Sequence, residues 1–336
     1  MVGRRLLEGK NIAIIALIML GIYGTHYKYF KSFGSTDQNF EVENTARFVE
    51  ASLSSMPTCD LPETFFRVVE KITAPTLTQV TPIFPDIRTD KCRDSVKWKP
   101  IQPFTPNEVA QYTNCIAKNI DPSKVNVKSM ELFNYTVIYS FFNFLKKKTN
   151  VAIVEVGGYV GNELNNLLPA TGAKHYVVIE PVPSFYRNLS ERISTLDVDS
   201  DVKAYNFGLG KRYTTLLVNI RGDATTTSKG DLRNKTEVIQ IVSVLDFVIQ
   251  LGIGCRSVDL MTINCEGCEF DVLETLISTN LIENFNYIQF QPHYNAPNLG
   301  YFPCRYCRLS QLLARTHVAA YDYPQVWQAW KRKDIE

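Results

Sequence analysis

The feature that most constrains the fold of this chain is a strand–turn–helix pattern that repeats from residue 151 onward. Short apolar runs at residues 151–156, 176–179 and 258–263 are typical of strands that are buried on both faces of a sheet. A weaker strand pattern lies at residues 202–207, and a fifth strand is predicted at residues 287–290. The segments between them predict helices at residues 162–168, 183–194, 242–251 and 270–279. Strands that alternate with helices form a parallel sheet, so we predict an α/β fold with a doubly wound, mostly parallel sheet.

The N-terminal third of the 336-residue chain has a different composition. Residues 12–23 form a charge-free apolar run, and basic residues precede it, which tend to stay in the cytoplasm. We therefore predict five parts. They are a short cytoplasmic tail (1–10), a signal-anchor transmembrane helix (11–29), a proline-rich luminal stem (30–104), a helical extension (105–149) and the α/β domain (150–333).

Two helices are expected in the extension. The first begins at Thr105 with a capping box that includes Glu108, and the second covers residues 130–148. At the C-terminus, residues 309–316 predict a helix, and residues 318–323 and 326–331 predict a final edge hairpin.

Sequons and cysteines agree with a location in the secretory pathway. Asn134, Asn188 and Asn234 each begin an Asn-x-Ser/Thr sequon, and the chain has eight cysteines, which would tend to pair in an oxidising compartment. We expect a single-pass type II membrane protein of the Golgi or another secretory lumen. Secretion after cleavage of a signal peptide is the alternative. The net charge of +2 provides no general attraction to nucleic acid.

A glycine-rich turn follows the first strand. Glu155 lies near the end of that strand, and Gly157, Gly158 and Gly161 lead into a helix. Glycine lets the backbone approach a ligand closely, and a helix N-terminus offers free N–H groups. The alternative is a glycine turn with a purely structural role, which would have the same residues. The adjacent Gly157 and Gly158 do not fit the Gly-x-Gly-x-x-Gly spacing of nicotinamide-binding proteins.

Polar residues also follow two further strands. Glu180 ends the second, where an acidic residue of a nucleotide-binding fold accepts hydrogen bonds from ribose hydroxyls. The strand at 258–263 brings Asn264 and Glu266 to the carboxyl edge of the sheet, where open α/β sheets bind ligands. Glu269 opens the next helix, and we interpret it as a helix cap because a negative charge suits that end of the helix dipole.

Residues 154–162, 179–186, 244–246 and 264–273 together carry a family resemblance. In order and spacing, residues of about 150–275 resemble the FkbM-type methyltransferases, a class I group of S-adenosyl-L-methionine-dependent O-methyltransferases. The resemblance implies a Rossmann-like methyltransferase sheet and S-adenosyl-L-methionine as the cofactor. The chain departs from the family pattern at two positions, because the family commonly has Lys and Asp where this chain has Thr262 and Asn264.

The resemblance assigns roles to the motif residues. Glu155, Gly157 and Gly161 would flank the methionine part of the cofactor and Glu180 its ribose, and the predicted cofactor site also includes Gly158 and Asn264. No metal site is expected.

Methyl transfer to a hydroxyl needs a nearby base, for which the candidates are Glu266 and then His293, which follows the fifth strand. The predicted location in the secretory lumen and the predicted O-methyltransferase domain together predict a glycan or glycoconjugate acceptor. The alternatives are a catalytically inactive glycan-binding or scaffold protein on the same fold and, less favoured, a nicotinamide-dependent sugar oxidoreductase. For Cys304 and Cys307 we expect disulfides rather than a zinc site. The oligomeric state stays open.

Overall fold

The computed structural model describes residues 77–89, 92, 101–221, 224–226, 235–296 and 299–335. All of them belong to one compact unit, Cys59–Glu336. The predicted tail, signal anchor and most of the stem lie outside the described residues, as does Asn234. Within the described ranges, no helix is long and apolar enough to span a bilayer.

A seven-stranded sheet forms the centre of the fold, in the order β10-β11-β9-β8-β1-β2-β3. Its strands are β1 (Ala152–Val156), β2 (His175–Ile179), β3 (Asp201–Tyr205), β8 (Val258–Ile263), β9 (Phe285–Phe290), β10 (His317–Tyr323) and β11 (Trp327–Arg332). Strands β3, β2, β1, β8 and β9 run parallel, and β11 pairs antiparallel with both β9 and β10. Every residue of β1 and β8 is buried, as the continuous apolar runs predict. The predicted mostly parallel α/β sheet and the C-terminal hairpin are confirmed.

Helices cover both faces of this sheet. They are α4 (Asn162–Thr171), α5 (Pro183–Ser194), α6 (Val244–Gln250), α7 (Cys268–Ser278) and α8 (Phe302–Leu313), and a 3₁₀ helix at Leu281–Asn284 precedes β9. The start of α5 is the predicted one, since Pro183 occupies its first turn. The last helix begins seven residues earlier than the predicted 309, at Phe302.

The N-terminal helices are α1 (Pro106–Lys118), α2 (Pro122–Met130) and α3 (Tyr135–Ser140), followed by a 3₁₀ helix at Phe141–Lys147. Helix α1 has the predicted capping box of Thr105 and Glu108. The single helix predicted for residues 130–148 is wrong. Asn134 interrupts it, because its side chain accepts a hydrogen bond from the backbone N–H of Thr136 and caps α3 instead.

A second sheet, which the sequence pattern did not predict, lies between β3 and α6. Its strands β4 (Gly208–Gly210), β5 (Thr214–Arg221), β6 (Ala224–Thr226) and β7 (Thr236–Ser243) are in the order β4-β7-β5-β6. One face packs Val218 and Ile239 against Val182 at the start of α5, whereas Leu217 is 61% exposed on the other face. The alternation of buried and exposed residues is that of a one-sided sheet, which gives a weaker apolar signal than a doubly covered one.

Part of the predicted stem belongs to the α/β domain. Val80, Ile83 and Phe84 are buried, and the backbone N–H of Ile83 donates to the carbonyl of Leu251. A disulfide joins Cys92 to Cys255 on the same side. Residues of the predicted proline-rich stem therefore pack against the α/β domain.

Candidate active site

A cavity of about 750 Å³ opens at the carboxyl ends of β1, β2 and β8. Three groups of residues line it. The turns after the strands contribute Gly157, Gly158, Tyr159, Glu180, Pro181, Asn264, Cys265, Glu266 and Gln291. Helices α4 and α5 contribute Asn162, Glu163, Asn166 and Phe185. The N-terminal helices contribute Tyr135, Thr136, Tyr139, Ser140 and Asn143. The predicted motifs therefore meet at one edge of the sheet.

The glycine turn packs tightly against the turn after β8. Gly157 has a φ of 92°, and a Cβ atom there would lie 1.9 Å from the carbonyl oxygen of Asn264. Gly158 also lines the cavity, and a side chain there would collide with Val178. Gly161 is different, because it caps α4 with a φ of 87° and packs against Arg192 of α5 instead of lining the cavity. Its glycine is required by backbone geometry rather than by ligand approach.

Three buried carboxyl groups surround the glycine turn. Glu155, Glu163 and Glu180 are 1%, 8% and 4% exposed. Burial raises the pKa of Glu163 and that of Glu180 to about 7, and it raises the pKa of Glu155 well above its ordinary value, with the charge of Glu163 adding to the effect. A site that contains this much uncompensated acid is suited to a cationic ligand.

The hydrogen bonds of these carboxyl groups leave room for a ligand. Glu155 Oε2 accepts from the hydroxyl of Tyr176 at 2.6 Å, whereas its buried Oε1 has no partner. Glu180 accepts from the backbone N–H groups of Tyr159 and Val182, both at 2.8 Å. Those bonds fix the carboxylate plane, and each oxygen retains a lone pair for a further donor. An ammonium or hydroxyl group of a ligand could donate a hydrogen bond to the buried Oε1 of Glu155, which otherwise has no partner.

Glu163 is a site residue that the sequence reasoning missed. Thr262 donates to its Oε2 at 2.8 Å and Asn264 to its Oε1 at 3.3 Å. The two departures from the family pattern thus share one partner, a carboxyl group from α4. The position of Glu163, two residues after Gly161, was the available signal, but helices often carry an acidic residue in their first turn for reasons of charge alone.

Glu266 and His293, the predicted catalytic pair, are brought together. His293 Nε2 lies 3.5 Å from Glu266 Oε1, and His293 Nδ1 lies 3.0 Å from Glu269 Oε1. The imidazole is buried between two carboxylates, whereas the Glu266 side chain is 39% exposed. Glu266 also has a φ of 58°, a left-handed conformation that is uncommon for a residue with a side chain.

Two consequences follow for His293. Burial alone would lower its pKa, but the charges and hydrogen bonds of Glu269 and Glu266 outweigh burial and raise it to about 10. The ring therefore carries a proton at neutral pH and cannot accept another. His293 also does not line the cavity, whereas Glu266 does.

Glu269 lies in the first turn of α7 and accepts from the backbone N–H of the N-cap residue Gly267, which agrees with the helix-cap interpretation. Its surroundings were not predicted. Its side chain is fully buried and accepts from the backbone N–H groups of Gly267, at 3.0 Å, and His293, at 2.8 Å, as well as facing the imidazole. It therefore ties the turn after β8 to the turn after β9. Sequence offered no sign of this, because His293 lies 24 residues away.

Disulfides frame the site. Cys265–Cys268 closes the turn that holds Glu266 and Gly267, and Cys115–Cys307 joins α1 to α8. Cys304 is disulfide-bonded as well, so the expected disulfides at Cys304 and Cys307 are confirmed. Among the described residues no His, Cys, Asp and Glu cluster has the arrangement of a metal site.

A second cavity of about 630 Å³ lies on the other side of the Cys265–Cys268 turn. It shares Gly157, Pro181, Cys265 and Glu266 with the first cavity. The second sheet gives it an apolar wall, with Gly208, Leu209, Leu216, Val218, Ile239 and Ile241. Charged residues line another part of it, namely Lys211, Arg212, Asp271 and Arg305.

Comparison with known proteins finds one family model that matches the part of the chain that forms this site. Residues 155–312 match the family model described as the methyltransferase FkbM domain. A search of curated proteins finds no match. Among solved structures, the O-methyltransferase TomG of Streptomyces achromogenes, in complex with S-adenosyl-L-methionine, is 13% identical, with 63% of this chain and 88% of that chain covered and a TM-score of 0.36. The methyltransferase PaMTH1 of Podospora anserina, bound to S-adenosyl-L-homocysteine, is 15% identical, with 70% and 100% covered and a TM-score of 0.33.

Proposed function

We propose that this protein transfers the methyl group of S-adenosyl-L-methionine to a hydroxyl group, because residues 155–312 match the model of the methyltransferase FkbM domain. The observation that carries the proposal is the set of buried carboxyl groups around the Gly157 turn, one of which has an oxygen without a partner. The cofactor has two positive charges, on its sulfonium and its ammonium group, one negative carboxylate, and two ribose hydroxyls that donate hydrogen bonds. Its positive groups and hydroxyls match a site whose buried carboxyl groups can accept hydrogen bonds.

Each part of the site would hold one part of the cofactor. Glu155 and Glu163 would hold the ammonium group, and Glu180 would accept from the ribose hydroxyls. The adenine ring suits the apolar surface of Pro181 and Gly208 in the second cavity. The close contact between Gly157 and Asn264 would keep the glycine turn in place beneath the cofactor.

When bound, S-adenosyl-L-methionine supplies an electrophilic methyl group on a positively charged sulfur. A hydroxyl that accepts this methyl group would have to lose its proton, so a base near the acceptor oxygen would assist the transfer. Glu266 lines both cavities and would take this proton. His293, held by Glu269, would fix the position of the Glu266 carboxylate.

A thermal-shift panel tests the cofactor. We expect S-adenosyl-L-methionine and S-adenosyl-L-homocysteine to raise the melting temperature, because saturation at about 100 times Kd adds roughly 2.7 kcal/mol of stability. NAD and NADP should have no effect. The variant Glu180→Ala should lose the shift, whereas Glu191→Ala, an exposed residue of α5, should keep it. Stabilisation by nicotinamide cofactors alone would refute the proposal.

A catalytically inactive protein on the same fold is the second candidate. It is favoured by the amide of Asn264, which binds Glu163 where the family commonly has a carboxylate. Cofactor binding without any methyl release from a radiolabelled cofactor, over a broad acceptor mixture, would support this candidate against the enzyme.

The finer proposal is a glycan hydroxyl as the acceptor and the secretory lumen as the location. Three disulfides among the described residues support an oxidising compartment. The sequon asparagines Asn134 and Asn188 are both exposed, which is compatible with glycosylation of the protein itself. A type II signal anchor at residues 11–29 remains the proposed route to that compartment.

A further inference from the structure

The first cavity has a second wall that the cofactor does not need. Helix α3 and the 3₁₀ helix after it contribute Tyr135, Thr136, Tyr139, Ser140 and Asn143, and Gln291 faces them from the end of β9. We call this set the α3 wall. It leads from the acidic cofactor side of the cavity out to solvent, since Tyr135 is 57% exposed.

Two tyrosines contribute stacked aromatic rings to this wall. Tyr135 and Tyr139 are one helical turn apart, and their rings are stacked with centroids 6.2 Å apart and an interplanar angle of 24°. Phe133 braces Tyr135 edge-on, with ring centroids 4.7 Å apart. An exposed aromatic ring that neighbouring rings already hold in place loses little conformational entropy when a ligand packs on it.

The polar groups of the wall are neutral. Thr136, Ser140, Asn143 and Gln291 provide hydroxyl and amide groups that both donate and accept hydrogen bonds. Burial, together with the charges of Glu163 and Glu155, raises the pKa of Tyr139, so its hydroxyl keeps a proton to donate. No Lys or Arg lines the cavity within the described chain, and acidic residues form its other side. A phosphorylated or carboxylated acceptor would therefore be repelled.

We propose that the α3 wall is the acceptor subsite and that it takes a neutral pyranose ring, with one face of the sugar on Tyr135. A pyranose has an apolar face of C–H groups and a rim of hydroxyls, and this is the combination that an aromatic surface with neutral hydroxyl and amide neighbours can bind. Gln291 and Glu266 line the same cavity, so a sugar hydroxyl at its inner end would approach the proposed base. The inference deepens the proposed function by assigning the acceptor's binding residues, and it rests on that function for the location of the reaction.

The test measures sugar binding without turnover. Full-length protein saturated with S-adenosyl-L-homocysteine would be titrated with methyl glycosides of a hexose, a 6-deoxyhexose, a pentose, an N-acetylhexosamine and the charged sialic acid, and binding would be followed by saturation-transfer NMR. We expect saturable binding of at least one neutral glycoside and none of the sialoside. Tyr135→Ala should weaken binding about fivefold to tenfold, the size of one aromatic contact. Tyr135→Phe, which keeps the ring, should change it by less than about twofold.

Tyr213→Ala is the matched control, since Tyr213 is 41% exposed and lines neither cavity. Its sugar affinity should equal that of the wild type, and circular dichroism should show that all three variants are folded. Failure of every neutral glycoside to bind overturns the inference, as does equal binding by Tyr135→Ala, or preference for a simple phenol over every sugar. Tyr135-dependent sugar binding without methyl transfer would keep the subsite and remove the proposed activity. Methyl transfer to an acceptor whose binding does not depend on Tyr135 would keep the proposed activity and remove the proposed subsite.

Discussion

Glu266 is the residue on which the proposed chemistry depends most. Its carboxylate is exposed to both cavities, and its only described ionic partner is the protonated ring of His293. Glu266→Gln keeps the shape of the side chain and removes its ability to accept a proton. We expect it to lower methyl transfer by about 10²–10⁴, the usual contribution of a general base. Cofactor affinity, measured by calorimetry, should stay within about twofold of wild type.

Glu283→Gln, at an exposed position before β9, is the control for this change of charge. Near-normal turnover of Glu266→Gln together with a lower melting temperature would instead show that Glu266 only stabilises its turn. In that case the acceptor proton must leave by another route.

The carboxyl groups of Glu163 and Glu180 predict a pH dependence of cofactor binding. Burial raises both pKa values from 4.5 to about 7, so the folded protein without cofactor favours their protonated forms. Their contribution to stability is fully present below about pH 4.5 and is lost as the pH rises through about 7. A cationic ligand needs the charged forms, so S-adenosyl-L-methionine should bind more tightly at pH 8 than at pH 6.

Calorimetry in buffers of different ionisation enthalpy would also show proton release on binding near neutral pH. Glu163→Gln should reduce the number of protons released. Affinity that is constant between pH 6 and pH 8 would mean that these carboxyl groups do not contact the cofactor's positive charges.

At the scale of the element, the turn between β8 and α7 depends on its disulfide. Cys265–Cys268 brackets Glu266 and Gly267, which both have positive φ, and the turn carries the Asn264 carbonyl that meets Gly157. A dithiol reductant would open the bond and form its own disulfide. Because small misplacements of a reacting group are costly, the double variant Cys265→Ser/Cys268→Ser should lower methyl transfer by about tenfold or more.

Cys115→Ser/Cys307→Ser removes a disulfide on the α1–α8 side and serves as the control. It should lower the melting temperature but keep the cofactor affinity. If the variant at residues 265 and 268 has wild-type turnover, hydrogen bonds to Glu269 suffice to hold the turn.

At the scale of the whole molecule, the proposed topology places the described domain in the secretory lumen. Asn134 caps α3, Asn188 lies on α5, and both are exposed. Peptide-N-glycosidase should therefore lower the apparent mass of the protein made in animal cells, and Asn134→Gln/Asn188→Gln should reduce that shift. An unchanged mass, with the chain accessible to protease from the cytosol, would contradict the luminal location and the glycan argument with it.

The central sheet was predictable from the sequence because its signals are local. Strand β8 covers the predicted residues 258–263, and the capping box at Thr105 is where the pattern indicates it. The second sheet was not predictable in the same way. Its strands bury one face only, and Leu217 and Val238 are 61% and 57% exposed, so hydrophobicity does not distinguish them from a loop.

The sequence by itself determined the order of the strands and helices of the central sheet, the glycine turn and the edge of the sheet at which Glu155, Glu180 and Glu266 meet. Each of these follows from periodicity, from backbone requirements or from the rule that parallel strands end at one edge. Only the tertiary structure decided the partners of the site residues. Glu163 bonds to Thr262 across 99 residues, and Glu269 turns inward to His293 across 24. Such pairs depend on how α4 and α7 pack against the sheet, and no local sequence pattern determines that packing.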